Sequence, residues 1–165
     1  MYPKILEGAW GVIACTEFIP AYNELFKFLH SLHGKGAVVA FWEHLSDAFL
    51  GNLHDLAAEK GLAGCYEYWS RTLTEEAADF RMTLDETNNI FRIEMRSCPS
   101  KARLLESDHI HSYKNYCEHC DVLYRRVLEP LGYAYDIDLS HSDEARCVLT
   151  VRKRDTNNPE EQSCM

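Results

Sequence analysis

The sequence predicts an α+β domain in which a helical N-terminal half packs on a four-stranded, mainly antiparallel sheet. Three observations predict it. Apolar residues recur at three- to four-residue spacing from Ala21 to about Ala78, the period of amphipathic helices. From residue 80 the period changes to two, in two pairs of short runs separated by turn residues. Between those pairs lies a single helical stretch, so the second half reads β-hairpin, helix, β-hairpin. A chain of 165 residues suits one domain with a proper core. Its boundaries are 1–154, with 1–78 helical and 79–154 holding the sheet and a cysteine-bearing helix. The polar residues 155–165 read as a flexible tail.

Residues 1–20, with two glycines and Pro20, read as a short helix or an irregular segment. A helix from Ala21 carries Tyr22, Leu25, Phe26, Leu29 and Leu32 on one face and is ended by Gly34 and Gly36. A longer helix is expected from Val38 to Lys60. Its stripe is Phe41/Trp42, Leu45, Phe49, Leu53 and Leu56/Ala57, with Gly61 as the stop. A third helix, Leu62 to Ala78, faces inward through Cys65, Trp69 and Leu73. Phe80–Leu84 and Phe91–Met95 alternate around turn residues Asp85–Asn89, which makes the first hairpin. Cys98-Pro99 then ends a strand and opens a short helix with proline in its first turn. The next helix begins near Asn115, read as an N-cap with Glu118 completing a capping box, and stops near Pro130 and Gly132. Tyr133, Tyr135, Ile137 and Leu139 alternate in the next strand. After the turn at His141–Glu144, Ala145, Cys147, Leu149 and Val151 share one face and close the second hairpin. The N-terminal helices are expected to cover the sheet or to mediate a homodimer.

A net charge of −9, from 17 basic and 26 acidic residues, speaks against nucleic acid or an anionic membrane as partner, since both need a basic face. No apolar run reaches the roughly 18 residues of a membrane helix. Glu7 interrupts the apolar N-terminus, against a secretory signal, and the reading is cytoplasmic. Seven cysteines are then poorly explained by disulfides. Cys15 and Cys65 read as small core fillers and Cys164 falls in the tail. Cys98, Cys117, Cys120 and Cys147 are left.

On a helix starting at Asn115, Cys117 occupies the first turn, where free backbone N–H groups favour a thiolate. Cys117, Cys120, Tyr124, Val127 and Leu128 form its apolar stripe. His119 shares a neighbouring stripe with Tyr116 and Leu123. A thiol-dependent hydrolase is one reading, with Cys117 as nucleophile, His119 or a histidine of the 109–111 segment as base, and Glu118 and Asp143 as acids. Tyr113 and Tyr116 would line such a site, and Lys101, with Arg103, would suit a substrate carboxylate. A metal site is another. Cys117 and Cys120 form a Cys-x-x-Cys pair that Cys98 and Cys147 could complete, with His109 and His111 as imidazole ligands. Zinc leads, with iron or an iron–sulfur cluster as other options. Redox cycling of Cys117 and Cys120 carries little weight without a βαβ context. All of these stand beside the plain alternative that the cysteines are core.

The order Cys98-Pro99, Tyr116-Cys117, Asp143 and Cys147 resembles the L-2-amino-thiazoline-4-carboxylic acid hydrolase-like family, similar in layout to ligand-binding domains of the vinyl-reductase type. The resemblance covers about residues 80–152; His119 and Cys120 are additions of this chain. It implies a small-molecule hydrolase acting on a carbon–nitrogen bond of a small, sulfur-containing ring. The alternative is a non-catalytic domain that senses or carries a metal or small ligand.

Overall fold

The alternating runs pair into one antiparallel sheet whose order is β1-β2-β4-β3. The strands are β1 (Asp79–Asp85), β2 (Ile90–Ser97), β3 (Tyr133–Asp138) and β4 (Cys147–Lys153). The structure, a computed structural model, describes residues 17–154. The expected N-terminal segment up to Thr16, Cys15, Cys164 and the tail lie outside the described residues.

Register puts every second residue on one face. Phe91, Ile93 and Met95 of β2 oppose Val151, Leu149 and Cys147 of β4, and Tyr135 and Ile137 of β3 oppose Val151 and Leu149. Arg92, Thr150 and Asp136 alternate to the other face. The first hairpin closes as its turn residues predict. The Asp85 carboxylate accepts from the backbone N–H of Thr87 and Asn88, both at 3.0 Å, and Asn89 takes φ +53°.

The helices are α1 (Phe18–His33), α2 (Lys35–Phe49), α3 (Gly51–Lys60), α4 (Leu62–Glu75), α5 (Pro99–Leu105) and α6 (Glu118–Leu128). Helices α4 and α6 lie on the apolar face of the sheet, with α2 and α3 packed against α6. One core fills the space under α4 and α6, around Trp69, Phe91, Leu128 and Tyr135. A second joins Phe26, Val38 and Trp42 to Leu104, Tyr113 and Tyr116. It anchors the loop that leads into α6.

Several boundaries differ from the sequence reading. The expected helix 38–60 is two helices bent at Leu50 (φ −87°, ψ +17°). Beyond the bend the buried stripe continues through Leu50, Leu53 and Ala57, while Phe49 is 57% exposed. The periodicity had included Phe49 because a straight helix would bury it. Helix α2 also starts at Lys35, directly after Gly34 at φ +78°, so Gly36 lies inside it; one left-handed residue suffices to break the chain between α1 and α2. The third helix ends at Glu75 rather than Ala78. Ala145 sits in the left-handed region at φ +57°, so it belongs to the turn, not to the last strand. Two bonds fix α6. The buried Ser46 hydroxyl donates to the Leu123 carbonyl at 2.8 Å. Asn23 accepts from the Tyr113 N–H at 2.7 Å and donates to the His111 carbonyl at 3.1 Å.

Candidate functional site

A cavity of about 150 Å³ opens between the sheet, α4 and the start of α6. Its floor is Ile93, Met95, Cys147 and Leu149, cross-strand neighbours on the inward face. One wall is the α4 stripe Trp69, Leu73 and Glu76; the opposite wall is Tyr116, Cys117, His119, Cys120 and Tyr124. Cys98 and the first residues of α5, including Lys101, form the end, and Ser142, Ala145 and Arg146 supply the turn beside it. A volume of this size holds a molecule of about benzene's bulk.

The fold thus gathers Cys98, Cys117, Cys120 and Cys147, 49 residues apart along the chain at the extremes, around one cavity. Each comes from a different local cause. Cys98 follows β2 as the N-cap residue of α5, which Pro99 starts. Cys147 faces inward by strand alternation opposite Met95. Cys117 and Cys120 are one helical turn apart. All are free thiols.

Their electrostatics oppose the expectation of a ready thiolate at Cys117. Burial, then the neighbouring Cys120, pushes the Cys117 thiol up to about 12, although Lys101 pulls the other way. Burial likewise lifts Cys120 and Cys147 to about 12. Cys98 reaches about 11, held back by the amides of Lys101 and Ser100. Desolvation of the charged form outweighs the helix terminus. The capping geometry differs too. Cys117 itself is the N-cap residue and no side chain caps the helix; Asn115 instead donates its amide to Glu118.

His119 is the best-placed polar group. Its ring packs edge-on to Tyr116 and Tyr22 and beside Phe26 and Trp42. Its Nδ1 contacts the Tyr116 carbonyl. A carbonyl can only accept, so Nδ1 carries the proton and Nε2 presents a lone pair. Burial lowers its pKa below the ordinary 6.5, which keeps the ring neutral at pH 7. Cys120 Sγ lies 3.4 Å from Nε2, with the thiol donating. The free nitrogen therefore meets Cys120, not Cys117.

Other expected site residues lie elsewhere. Glu118 is outside the cavity, ion-paired with Lys35 at 2.7 Å. Tyr113 is buried in the second core with its hydroxyl 2.8 Å from His30 Nδ1. Asp143 is exposed and does not line the cavity, and His109 and His111 are exposed on the preceding loop. Tyr116 and Lys101 do line it, Lys101 donating to Ser112 Oγ at 2.8 Å. The expected metal set is not assembled. Among the described residues no group of three or more His, Cys, Asp or Glu is arranged to hold a metal ion. Cys147 on the floor and Cys98 at the end stand apart from Cys117 and Cys120 on the α6 wall, and the two expected imidazoles are outside the cavity.

Glu76 was missed by sequence reasoning. It continues the period of Trp69 and Leu73, which was the available signal, but a charged residue at the end of a helix reads as solvent-facing. No known protein family, curated protein or solved structure matches the chain. Among the described residues no helix is long and apolar enough to cross a membrane.

Proposed function

We propose that the cavity is the active site of a small-molecule hydrolase that cleaves a carbon–nitrogen bond of a small cyclic amidine, with Cys120 as nucleophile and His119 as its base. The observation that carries this reading is the 3.4 Å approach of Cys120 Sγ to His119 Nε2, with the tautomer fixed by the Tyr116 carbonyl and both residues on the cavity wall. Nucleophile, base and an orienting third group form the arrangement that thiol catalysis needs. Because the resting pair is neutral, proton transfer accompanies attack. Nε2 takes the thiol proton and delivers it to the amidine nitrogen as Sγ bonds to carbon. The substrate class is the one the resemblance over residues 80–152 implies, although His119 and Cys120 stand outside its motif, and the cavity volume limits its size. Cys117, Cys98 and Cys147 keep the surroundings soft and weakly hydrated.

The compound to test is 2-amino-2-thiazoline, a ring of the right bulk. Mass spectrometry should show gain of one water, and an acid quench should leave an adduct on the Cys120 peptide. Cys120→Ser and His119→Ala should each slow turnover about 100-fold or more, while Cys117→Ser should change it little. Loss of activity in Cys117→Ser with an active Cys120→Ser would overturn the assignment. A second reading, a non-catalytic carrier of a small apolar ligand, is favoured by the upward shift of all four thiols. Saturable binding of the same ring without turnover would select it.

A further inference from the structure

Hydrolysis by this pair leaves one proton unaccounted for. Sγ adds to the amidine carbon and His119 moves the thiol proton to the first nitrogen. The second nitrogen must then leave as an amine, and it needs a proton of its own. Within the wall opposite His119 stands a carboxyl group that nothing else uses.

Glu76, the C-cap residue of α4, continues the stripe of Trp69 and Leu73 to the cavity. Its neighbour Glu75 points away and pairs with Arg71 at 3.0 Å, whereas the Glu76 carboxyl has no hydrogen-bond or ion-pair partner among the described residues. Its position is held at a cost. The chain turns immediately after it through Ala77 in the left-handed region at φ +54°, with the Ala78 N–H on the Leu73 carbonyl at 3.0 Å. A non-glycine residue there is strained, and the turn is what leaves Glu76 beside the cavity. A carboxylate at a helix C-terminus is also disfavoured by the free carbonyls. The groups facing it are His119, Cys120 and Tyr124 of α6, Cys98 before α5, and Tyr68 and Glu75 of its own helix. Only His119 among them favours its charge; burial first, and Glu75, raise it above the ordinary 4.5. More than a third of the residue is nevertheless exposed, so it lies at the mouth of the cavity and exchanges protons with solvent.

We propose that Glu76 is the proton donor to the leaving nitrogen, acting across the cavity from the Cys120–His119 pair. The role rests on the hydrolase reading above. As the carbon–nitrogen bond breaks, the Glu76 proton goes to the departing amine, and the remaining nitrogen's lone pair forms a cationic thioimidate on Cys120 opposite the new carboxylate. Water then adds to that carbon and yields a proton to Glu76. Collapse breaks the carbon–sulfur bond, the hydroxyl proton returns to Sγ through His119, and the product is the amide. The sum is amidine plus water giving amide plus amine.

The test uses the full chain with 2-amino-2-thiazoline. Glu76→Gln keeps the shape and removes the proton, so kcat should fall about 100-fold, and the loss of rate that the wild type shows as pH rises through the Glu76 ionisation should vanish. Glu76→Asp should restore part of the rate and that limb. A readout independent of turnover is the carbon-13 NMR titration of the Glu76 carboxyl, assigned by its absence in Glu76→Gln; its midpoint should lie above the ordinary 4.5. Turnover that needs Cys120 but is unchanged in Glu76→Gln, or a Glu76 carboxyl that titrates at or below the ordinary 4.5, overturns the role of Glu76 alone. No turnover by the wild type overturns the hydrolase reading and this role with it.

Discussion

Alkaline pH should unfold this protein through its thiols. Burial holds Cys65, Cys117, Cys120 and Cys147 up to about 12 and Cys98 to about 11, from an ordinary 9.0. Below pH 9 both folded and unfolded chains keep these protons, and the stability is fully present. Between 9 and 11–12 the unfolded chain has released them and the folded one has not, so stability falls as pH rises. At pH 10 each thiol still protonated in the fold costs on the order of 1 kcal/mol, and the group together several kcal/mol. That is comparable with the whole stability of an ordinary domain, about 5–15 kcal/mol. The assay is far-ultraviolet circular dichroism with thiolate absorbance, under reducing conditions, from pH 7 upward. Fluorescence of Trp42 and Trp69, both buried, reports the same transition. Thiolate absorbance and loss of structure should rise together, with a midpoint near pH 10. Thiolates appearing at pH 8 in a Cys15→Ser/Cys164→Ser chain that keeps its circular dichroism would refute the reasoning. It would also reopen the expectation of a ready thiolate at Cys117.

Two further predictions concern the frame around the site. A Cβ at Gly64 would meet the Leu56 carbonyl oxygen at 1.9 Å and its carbon at 2.4 Å. Both are backbone atoms, so α3 and α4 must separate. Gly64→Ala should therefore cost about 2 kcal/mol net, overpacking exceeding the gain in helix propensity, and lower Tm by roughly 4–8 °C in calorimetry; an unchanged or higher Tm would contradict it. Asn23→Ala strands the Tyr113 N–H and the His111 carbonyl. It should cost about 1–3 kcal/mol and speed hydrogen exchange at the Tyr113 amide, while exchange as slow as in the wild type would show that the loop does not depend on Asn23.

Much of the fold was legible because its signals are local. Period two placed both hairpins, Pro99 placed the start of α5, and alternation along β4 turned Cys147 inward beside Leu149 and Val151. The same regularities gave Cys117, Cys120 and Cys147 their inward directions, and with Cys98 they converge on one cavity. What periodicity does not contain is how far a helix runs straight or what surrounds a group once it is inside. The bend at Leu50 turned Phe49 outward because the path of α2 over α6 is set by contacts across the core, including the Ser46–Leu123 bond. The state of the thiols followed the same rule. A helix terminus argues for a thiolate in any exposed peptide, but desolvation depends on the walls that α4 and the sheet supply, and here it is the larger effect. The Tyr116 carbonyl decides which nitrogen of His119 is free, and so which cysteine it meets. Glu76 faces His119 from another helix, 43 residues earlier in the chain. The sequence determined which groups point inward; only the packed structure decided which of them meet, and in what charge state, because solvation and contact belong to the assembled core rather than to any one segment.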